Sequence, residues 1–234
     1  MKPPRQRSDR LSTTVYNYQE NIMTNQTNNI NNTNHINHIN QTNHTSHTNH
    51  INHINKTAII TGASRGIGAA IAKKLASCGY NLSLCCRNSS DRLKALADEL
   101  HCAYGIEVLC YTGNVGDFFF AKDMVANTIS HFGHIDVLIN NAGISHIGLL
   151  SDMTPEEWNN IVAINLTGVF NFTKLVIPYM VADKCGRILQ ISSVWGNVGA
   201  SCEVAYSACK GGINAFTKAL GKELAPSHIP VNAI

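Results

Sequence analysis

The amino-acid sequence predicts an α/β protein: a doubly wound parallel sheet with helices on both faces, preceded by a disordered tail. From residue 56 onward, short apolar runs alternate five times with longer amphipathic stretches. A glycine-rich turn joins the first run to the first amphipathic stretch. Parallel strands need crossover connections, usually helices, so this alternation favours a parallel sheet over hairpins.

The predicted elements follow in chain order. The apolar runs with strand composition lie at 57–61, 81–86, 106–111, 135–140 and 187–192, and a last strand opens near Pro230. The stretches with apolar residues at helical spacing lie at 66–78, 90–103, 117–132, 155–181 and 204–224. They make residues 56–234 one domain.

Residues 1–55 differ from this pattern. Residues 24–55 are mainly Asn, Thr, His and Ile, with the unit Asn-His-Ile recurring. Asn and Thr are poor helix formers, and the Ile residues are too sparse to offset the entropy of ordering a backbone. We therefore predict a disordered tail. Its six histidines, at 35, 38, 44, 47, 50 and 53, could bind a transition metal weakly, but a repeat expansion without function explains them as well, and we predict no metal site.

Charge and composition exclude several classes of protein. The formal net charge is +3, and residues 1–55 hold four basic and two acidic side chains, which leaves +1 for the remainder. A net charge this small does not indicate a nucleic-acid-binding surface.

The sequence has no membrane span of roughly 18 consecutive apolar residues and no secretory signal, so we expect a cytoplasmic protein. The eight cysteines form no C-x-x-C pair and are expected to be small buried hydrophobes in a reducing compartment.

The glycine-rich turn predicts a dinucleotide site. Glycines between a first strand and a first helix let the backbone approach a pyrophosphate, which the helix N-terminus then holds. An ordinary glycine turn is the alternative, and the strand before and helix after it argue for the nucleotide. The candidate binding residues are Gly62, Ser64, Arg65, Gly66, Ile67 and Gly68.

The spacing Gly-x-x-x-Gly-x-Gly resembles the fingerprint of the short-chain dehydrogenase/reductase family. Three further matches make the resemblance specific: Asn-Asn-Ala-Gly at 140–143, Ser193, and Tyr206-x-x-x-Lys210. The resemblance covers essentially all of 56–234 and none of 1–55. It implies a Rossmann fold and an oxidoreductase with a nicotinamide cofactor.

The resemblance also implies NADP(H) rather than NAD(H). No acidic residue ends the second predicted strand, where one would bind the ribose 2′-hydroxyl. Instead Arg87 lies there, and Arg65 lies in the turn, where the family places guanidinium groups on the 2′-phosphate. The alternative is that both arginines are solvated surface residues.

Other segments match the family's cofactor site. Asn141, Ala142 and Gly143 would support the sheet and approach the adenosine ribose; a turn-forming stretch is the alternative. Asn114, followed by Val115, lies where the family often has an Asp that contacts adenine.

The catalytic candidates are Ser193, Tyr206, Lys210 and Asn165. Tyr206 and Lys210 share one helix face, and Ser193 follows the fifth strand at the rim where α/β sheets bind ligands. Ketone reduction needs a hydride and a proton, and a nearby ammonium favours phenolate over phenol. The resemblance implies that the tyrosine is the acid, that Lys210 also holds the nicotinamide ribose, that Ser193 bonds the substrate oxygen, and that Asn165 supports a water chain to the lysine. For Asn165, a capping or packing amide is the alternative.

The residues around the predicted cleft do not by themselves specify a substrate. Ser145, His146, Trp195 and residues 199–204 flank the predicted cleft. The general resemblance is to 3-oxoacyl-carrier-protein reductases of fatty acid synthesis. The segments GISHIGLL and ISSVWGNVGASCEVAYSACKG are similar to a bacterial subgroup that reduces an aminopentanone modification on elongation factor P. Either way, the ketone would be carried on another protein.

The resemblance has two further implications. Family members are tetramers built through the fourth and fifth long helices, so we expect a homo-oligomer. They also continue beyond the position of Ile234 through a lid, a helix and a strand, so we expect the domain to be C-terminally incomplete. The alternative of another class is therefore a nucleotide-binding fragment or pseudoenzyme with little or no turnover.

Overall fold

Residues 55–234 are described here from a computed structural model. Their strands are β1 (Thr57–Ile60), β2 (Asn81–Cys86), β3 (Val108–Thr112), β4 (Val137–Asn140), β5 (Arg187–Gln190) and β6 (Val231–Ala233). All neighbouring strands are parallel, in the order β3-β2-β1-β4-β5-β6. The order reverses between β1 and β4, and a crevice at the carboxyl ends of such strands is where open α/β sheets bind ligands.

The main helices are α1 (Gly66–Ser77), α2 (Ser90–Tyr104), α3 (Phe118–Phe132), α4 (Pro155–Val162), α5 (Gly168–Asp183), α6 (Trp195–Val198) and α7 (Val204–Leu224). Short 3₁₀ turns lie at Leu150–Asp152 and Ala225–Ser227. The predicted doubly wound sheet is confirmed. The predicted tail lies outside the described residues, apart from Asn55.

The elements differ from the sequence prediction in several places; among them, β4 begins at Val137 rather than 135 and β5 ends at Gln190 rather than 192. The stretch predicted as one helix, 155–181, contains a π-helical turn at Ala163–Thr167 between α4 and α5. The predicted strand at 106 begins at Val108, because the Glu107 N–H donates to the Asn81 side chain at 2.9 Å. Helix α6 was not predicted, since four residues are too few to display a helical period.

Several helix ends follow local rules. Asp117 begins α3 by accepting hydrogen bonds from the backbone N–H groups of Phe119 and Phe120. Thr154 and Glu157 form a reciprocal capping box at the start of α4. Gly133 ends α3 in the left-handed conformation, with φ +81°.

Apolar side chains form a core on each face of the sheet. Ile59 of β1 packs on one face with Leu138 and Phe172, whereas Ile60 packs on the other with Leu84. Successive side chains of a strand point to opposite faces, so helices on both sides bury every residue of β1. This double burial explains why the central strands read as continuous apolar runs.

The stretch Pro155–Asp183 has the length and mean hydropathy, 1.5, of a membrane span. Its second part, α5, packs against the sheet and buries Phe172, Val176 and Met180. A position in the core therefore accounts for its apolar composition.

Candidate active site

The predicted site residues gather at one edge of the sheet. The glycine turn follows β1, Arg87 follows β2, and Asn114 with Val115 follows β3. Asn141, Ala142 and Gly143 follow β4, and Ser193 follows β5. The parallel arrangement places all of these carboxyl ends together, and the π-helical turn carrying Asn165 and helix α7 complete the edge.

The glycine turn leaves no room for side chains at two of its positions. Gly62 has φ +66°, and a Cβ there would lie 2.8 Å from the Ala142 Cα. A Cβ at Gly68 would lie 2.5 Å from both Asn141 Nδ2 and the Gly62 carbonyl oxygen. Gly66 has φ +58°, in the region that glycine adopts most readily. The backbone therefore follows a path that only glycine permits.

Thr61 braces this turn against the segment after β4, and the sequence analysis did not single it out. Its Oγ1 accepts from the backbone N–H groups of Asn141 and Ala142, both at 3.0 Å. In return, Asn141 Nδ2 donates to the carbonyl oxygens of Thr61 and Gly62 at 2.9 and 3.0 Å. A threonine at the end of a buried strand, next to a glycine turn, was the available signal.

The start of α1 is suited to an anion. Its N-cap, Arg65, makes no side-chain capping bond, and the first turn contains no acidic residue. The first N–H groups of the helix and its dipole thus remain available to a phosphate. Arg65 and Arg87 are both exposed, and within residues 55–234 neither forms an ion pair. The turn, the helix end and the two guanidinium groups fit a phosphorylated dinucleotide.

The loop after β3 is held rigidly. Asn114 Oδ1 accepts from the Gly116 N–H at 3.1 Å, and Asn171 Nδ2 donates to the Val115 carbonyl at 3.0 Å. Val115 is buried against Gly168 of α5. The Asn114 oxygen is thus engaged inside the loop, and its amide N–H₂ remains as the group that can face a base.

Lys210 is a buried cation beside Tyr206. It is 4% exposed, and its Nζ lies 5.5 Å from the centroid of the Tyr206 ring. The ammonium also donates to the Ile191 carbonyl. Burial lowers the pKa of Lys210 from 10.5 to about 8, and Cys209 opposes this shift slightly. A cation in a low-dielectric setting acts strongly on a neighbouring phenol.

Asn165 lies fully buried in the π-helical turn and holds the segment after β4. Its Oδ1 accepts from the Ile144 N–H at 2.9 Å, and its Nδ2 donates to the Ile144 carbonyl at 2.8 Å. A Cβ at Gly143 would lie 2.8 Å from Asn165 Oδ1 and 3.8 Å from Lys210 Nζ. Gly143 therefore has both Asn165 and Lys210 close beside it.

The two serines after β5 have different hydrogen bonds. Ser192 Oγ donates to Asn214 Oδ1 at 2.6 Å, and Asn214 Nδ2 donates to Asn197 Oδ1 at 2.9 Å. Ser193 Oγ accepts from the Trp195 N–H at 3.2 Å, which leaves its proton free to donate. This difference favours Ser193 as the substrate-facing hydroxyl. Asn214, an asparagine in the middle of a helix, was a signal that the sequence analysis did not use.

Two hydrogen bonds join the loops on either side of the cleft. Ser145 Oγ donates to Glu203 Oε2 at 2.6 Å, and the Gly148 N–H donates to the Cys202 carbonyl at 2.9 Å. A neighbouring open cavity of about 840 Å³ lies between α7 and β6. It reaches Ser193 but is not lined by Tyr206 or Lys210, so it borders the cleft rather than containing it.

Among described residues 55–234, no group of three His, Cys, Asp or Glu side chains is arranged to hold a metal ion. All eight cysteines are free thiols. The expectation that they are buried is wrong for most of them: only Cys85, Cys86 and Cys209 are buried, whereas Cys78 and Cys102 are exposed because they lie on solvent-facing ends of helices.

Comparison with known proteins agrees with this geometry. The chain is 40% identical over 179 residues to the 3-oxoacyl-[acyl-carrier-protein] reductase FabG of Staphylococcus aureus, covering 76% of this chain and 72% of that protein. A metagenomic short-chain oxidoreductase solved in complex with NADP superposes with a TM-score of 0.73 at 34% identity, covering 76% of this chain and 80% of that one. A variant of actinorhodin polyketide ketoreductase solved with NADPH gives a TM-score of 0.73 at 38% identity, covering 76% and 69%.

Residues 56–234 also match the sequence profile described as short chain dehydrogenase. One assignment explains the strand order, the glycine turn and the positions of Ser193, Tyr206 and Lys210: this chain belongs to the short-chain dehydrogenase family.

Proposed function

We propose that the chain catalyses the NADPH-dependent reduction of a ketone to a secondary alcohol. The observation that carries this proposal is the buried Lys210 ammonium, 5.5 Å from the Tyr206 ring, at the same sheet edge as an uncapped helix N-terminus. The solved relatives with NADP and NADPH support the choice of cofactor.

Each group has a defined task in this proposal. Bound NADPH supplies the hydride. Arg65 and Arg87 hold the 2′-phosphate, the start of α1 holds the pyrophosphate, Asn114 and Val115 flank the adenine, and Asn141 to Gly143 line the ribose. Ser193 donates a hydrogen bond to the substrate oxygen, on which negative charge develops, and Tyr206 delivers the proton to that oxygen. Lys210 stabilises the phenolate that remains, and Asn165 keeps the adjoining backbone in place.

For the substrate, we propose a ketone carried on another protein. A 3-oxoacyl group on acyl carrier protein is the first candidate, because a relative of 40% identity is named for that reaction. The aminopentanone modification of elongation factor P is the second. It is favoured by three carboxylates in the segments that follow β4 and β5, namely Asp152, Glu157 at the start of α4, and Glu203, which suit an amine.

We also infer that the protein works in the cytoplasm as a homo-oligomer, a tetramer by family resemblance. Its eight free thiols suit a reducing compartment. Phe170 of α5 is 45% exposed, and an exposed aromatic side chain on a long helix is suited to a subunit contact. No membrane or nucleic-acid partner is proposed.

The test is NADPH oxidation by the purified chain against a panel of ketones that includes 3-oxoacyl thioesters, together with a titration of NADPH binding. Tyr206→Phe should reduce turnover by at least about 100-fold while NADPH affinity stays within about threefold, since the phenol acts only in proton transfer. Tyr104→Phe, at the exposed C-terminal end of α2, is the matched control. Binding without turnover in the unmodified chain would instead favour the nucleotide-binding alternative, and near-normal turnover by Tyr206→Phe would remove the mechanism.

A further inference from the structure

Two groups that meet one substrate oxygen in the proposed reaction come from separate elements. Ser193 follows β5, whereas Tyr206 belongs to α7. The two hydroxyls act together only if the distance between them is fixed, since a misplacement of about 1 Å can cost about 100-fold in rate. A contact that holds the Ser193 segment against α7 therefore bears directly on the reaction.

One side chain, the amide of Asn214 in α7, contacts the chain on both sides of Ser193. Its Oδ1 accepts from Ser192 Oγ at 2.6 Å, and its Nδ2 donates to Asn197 Oδ1 at 2.9 Å. Ser192 directly precedes Ser193, and Asn197 lies in α6, the short helix that follows it. The Asn214 amide thus joins the residue before Ser193 to the helix after Ser193.

Ser193 itself is bonded to the start of α6. The Trp195 N–H donates to Ser193 Oγ at 3.2 Å, and the Gly196 N–H donates to the Ser193 carbonyl at 3.0 Å. A shift of α6 would therefore carry the Ser193 hydroxyl with it. Because Asn197 lies in the same four-residue helix, its bond to Asn214 fixes α6 against α7.

Helices α6 and α7 approach each other so closely that a side chain would not fit between them at Gly196. A Cβ there would lie 2.6 Å from the Lys210 carbonyl carbon and 2.9 Å from Asn214 Nδ2. A Cβ at Gly211 would lie 3.2 Å from the Gly196 carbonyl oxygen. This close approach allows the short side chain of Asn214 to reach α6.

Asn214 shares its helix with the catalytic candidates. Tyr206, Lys210 and Asn214 follow one another at intervals of four residues in α7, and residues four apart lie on one face of a helix. Ser192 Oγ also lies 3.5 Å from the Lys210 carbonyl oxygen. Asparagine is a poor helix former, so helix propensity does not explain its place in the middle of α7. Its two side-chain hydrogen bonds do.

We propose that Asn214 is a positioning residue for the reaction: it holds the Ser193 hydroxyl at the distance from Tyr206 that lets both groups reach one substrate oxygen. This inference rests on the proposed ketone reduction. Asn214 acts through Ser192 and α6. When its amide is removed, the Ser193 hydroxyl remains but is free to move away. The hydrogen bond to the developing negative charge then weakens in the transition state more than in the bound substrate.

The first experiment is a double-mutant cycle on Asn214 and Ser193, read as NADPH oxidation with a ketone. Asn214→Ala should lower kcat by at least about tenfold and leave the KM of the ketone and the Kd of NADPH within about threefold. In a chain that already carries Ser193→Ala, the same change should lower kcat by less than about threefold, because no hydroxyl is left to position. Asn127→Ala, at an exposed position of α3, is the matched control and should change kcat by less than about twofold.

The second experiment changes only the α6 end of the contact. Asn197→Ala removes the acceptor of the Asn214 amide and should lower kcat by about three- to tenfold. Asn197→Asp keeps an acceptor oxygen and should retain kcat within about twofold of the unmodified chain. Asn197 is exposed, so both variants should fold, and thermal unfolding checks this.

The outcomes separate the two proposals. A loss of kcat in Asn214→Ala that is equally large with and without the Ser193 hydroxyl would overturn the positioning role. Equal kcat values in Asn197→Ala and Asn197→Asp, or a loss of NADPH affinity as large as the loss of kcat, would do the same, and each of these results leaves the proposed function intact. No NADPH oxidation by the unmodified chain with any ketone would overturn the proposed function and this inference with it.

Discussion

Asn165 and Ile144 are joined by both ends of one amide, with the Ile144 N–H donating to Asn165 Oδ1 and Asn165 Nδ2 donating to the Ile144 carbonyl. The asparagine lies in a π-helical turn, a local irregularity often found at functional sites. The pair fixes the segment after β4 beside Lys210. The amide is therefore a packing and positioning group in the structure, and its proposed role towards a water chain remains a prediction.

Asn165→Ala should lower the free energy of unfolding by about 2–4 kcal/mol, because it leaves the N–H and carbonyl of Ile144 without their buried partners. Turnover should also fall, by at least about tenfold, as the segment beside Lys210 loosens. Urea unfolding and steady-state kinetics measure the two effects. Asn159→Ala, at an exposed position of α4, is the control. A loss of stability with full kcat in the folded fraction would limit Asn165 to packing.

The lowered pKa of Lys210 predicts a pH-dependent stability. Because the pKa of Lys210 is about 8 in the folded chain and 10.5 ordinarily, the unfolded chain binds more protons between these values. The free energy of unfolding therefore rises with pH across this window. Below about pH 8, the buried charge of Lys210 lowers the free energy of unfolding by up to about 3 kcal/mol.

Lys210→Met removes this titrating group while keeping a side chain of similar length. As the pH rises from about 8 to 10.5, the free energy of unfolding of the unmodified chain should therefore increase by up to about 3 kcal/mol relative to that of the variant. The other lysines titrate in both proteins, so their contributions to the free energy of unfolding cancel in this comparison. Urea unfolding at a series of pH values measures the difference, and parallel curves would contradict the assigned pKa.

Arg65→Ala and Arg87→Ala should each reduce kcat/KM for NADPH by about 10- to 100-fold, the value of one charge-assisted contact. The value for NADH should change little, since NADH has no 2′-phosphate. Arg187→Ala is the control, because Arg187 begins β5 at the opposite edge of the sheet. Equal losses of kcat/KM for NADPH and NADH would show that the arginines do not bind the 2′-phosphate.

Gly68→Ala should weaken NADPH binding by about tenfold or more and destabilise the domain by about 1–3 kcal/mol, because the new Cβ collides with Asn141 Nδ2 and the Gly62 carbonyl. Gly221→Ala makes the same chemical change in α7, where the nearest atom, the Val231 carbonyl oxygen, lies 3.7 Å away. That variant should be neutral or more stable by about 0.5–1 kcal/mol. Fluorescence titration with NADPH and thermal unfolding test both variants. Unchanged NADPH affinity and stability in Gly68→Ala would argue against the tight turn.

Much of the fold could be predicted from local patterns. Strands covered on both faces are continuous apolar runs, as in residues 137–139 of β4. The glycine turn after β1 has a steric cause that is visible in its own residues. The proximity of Tyr206 and Lys210 could be predicted too, because the two residues lie one helical turn apart within one element. Their catalytic roles stay a prediction.

Contacts between distant segments could not be predicted in this way. Thr61 meets Asn141 across 80 residues, and Ser145 meets Glu203 across 58. The pKa of Lys210 depends likewise on the helices and loops that exclude water around it. Such contacts follow from which strands become neighbours and how far each loop extends, whereas hydrophobic periodicity reports only whether a residue faces the core. The local sequence therefore specifies the elements and the chemistry of their ends, and packing decides which of those ends meet.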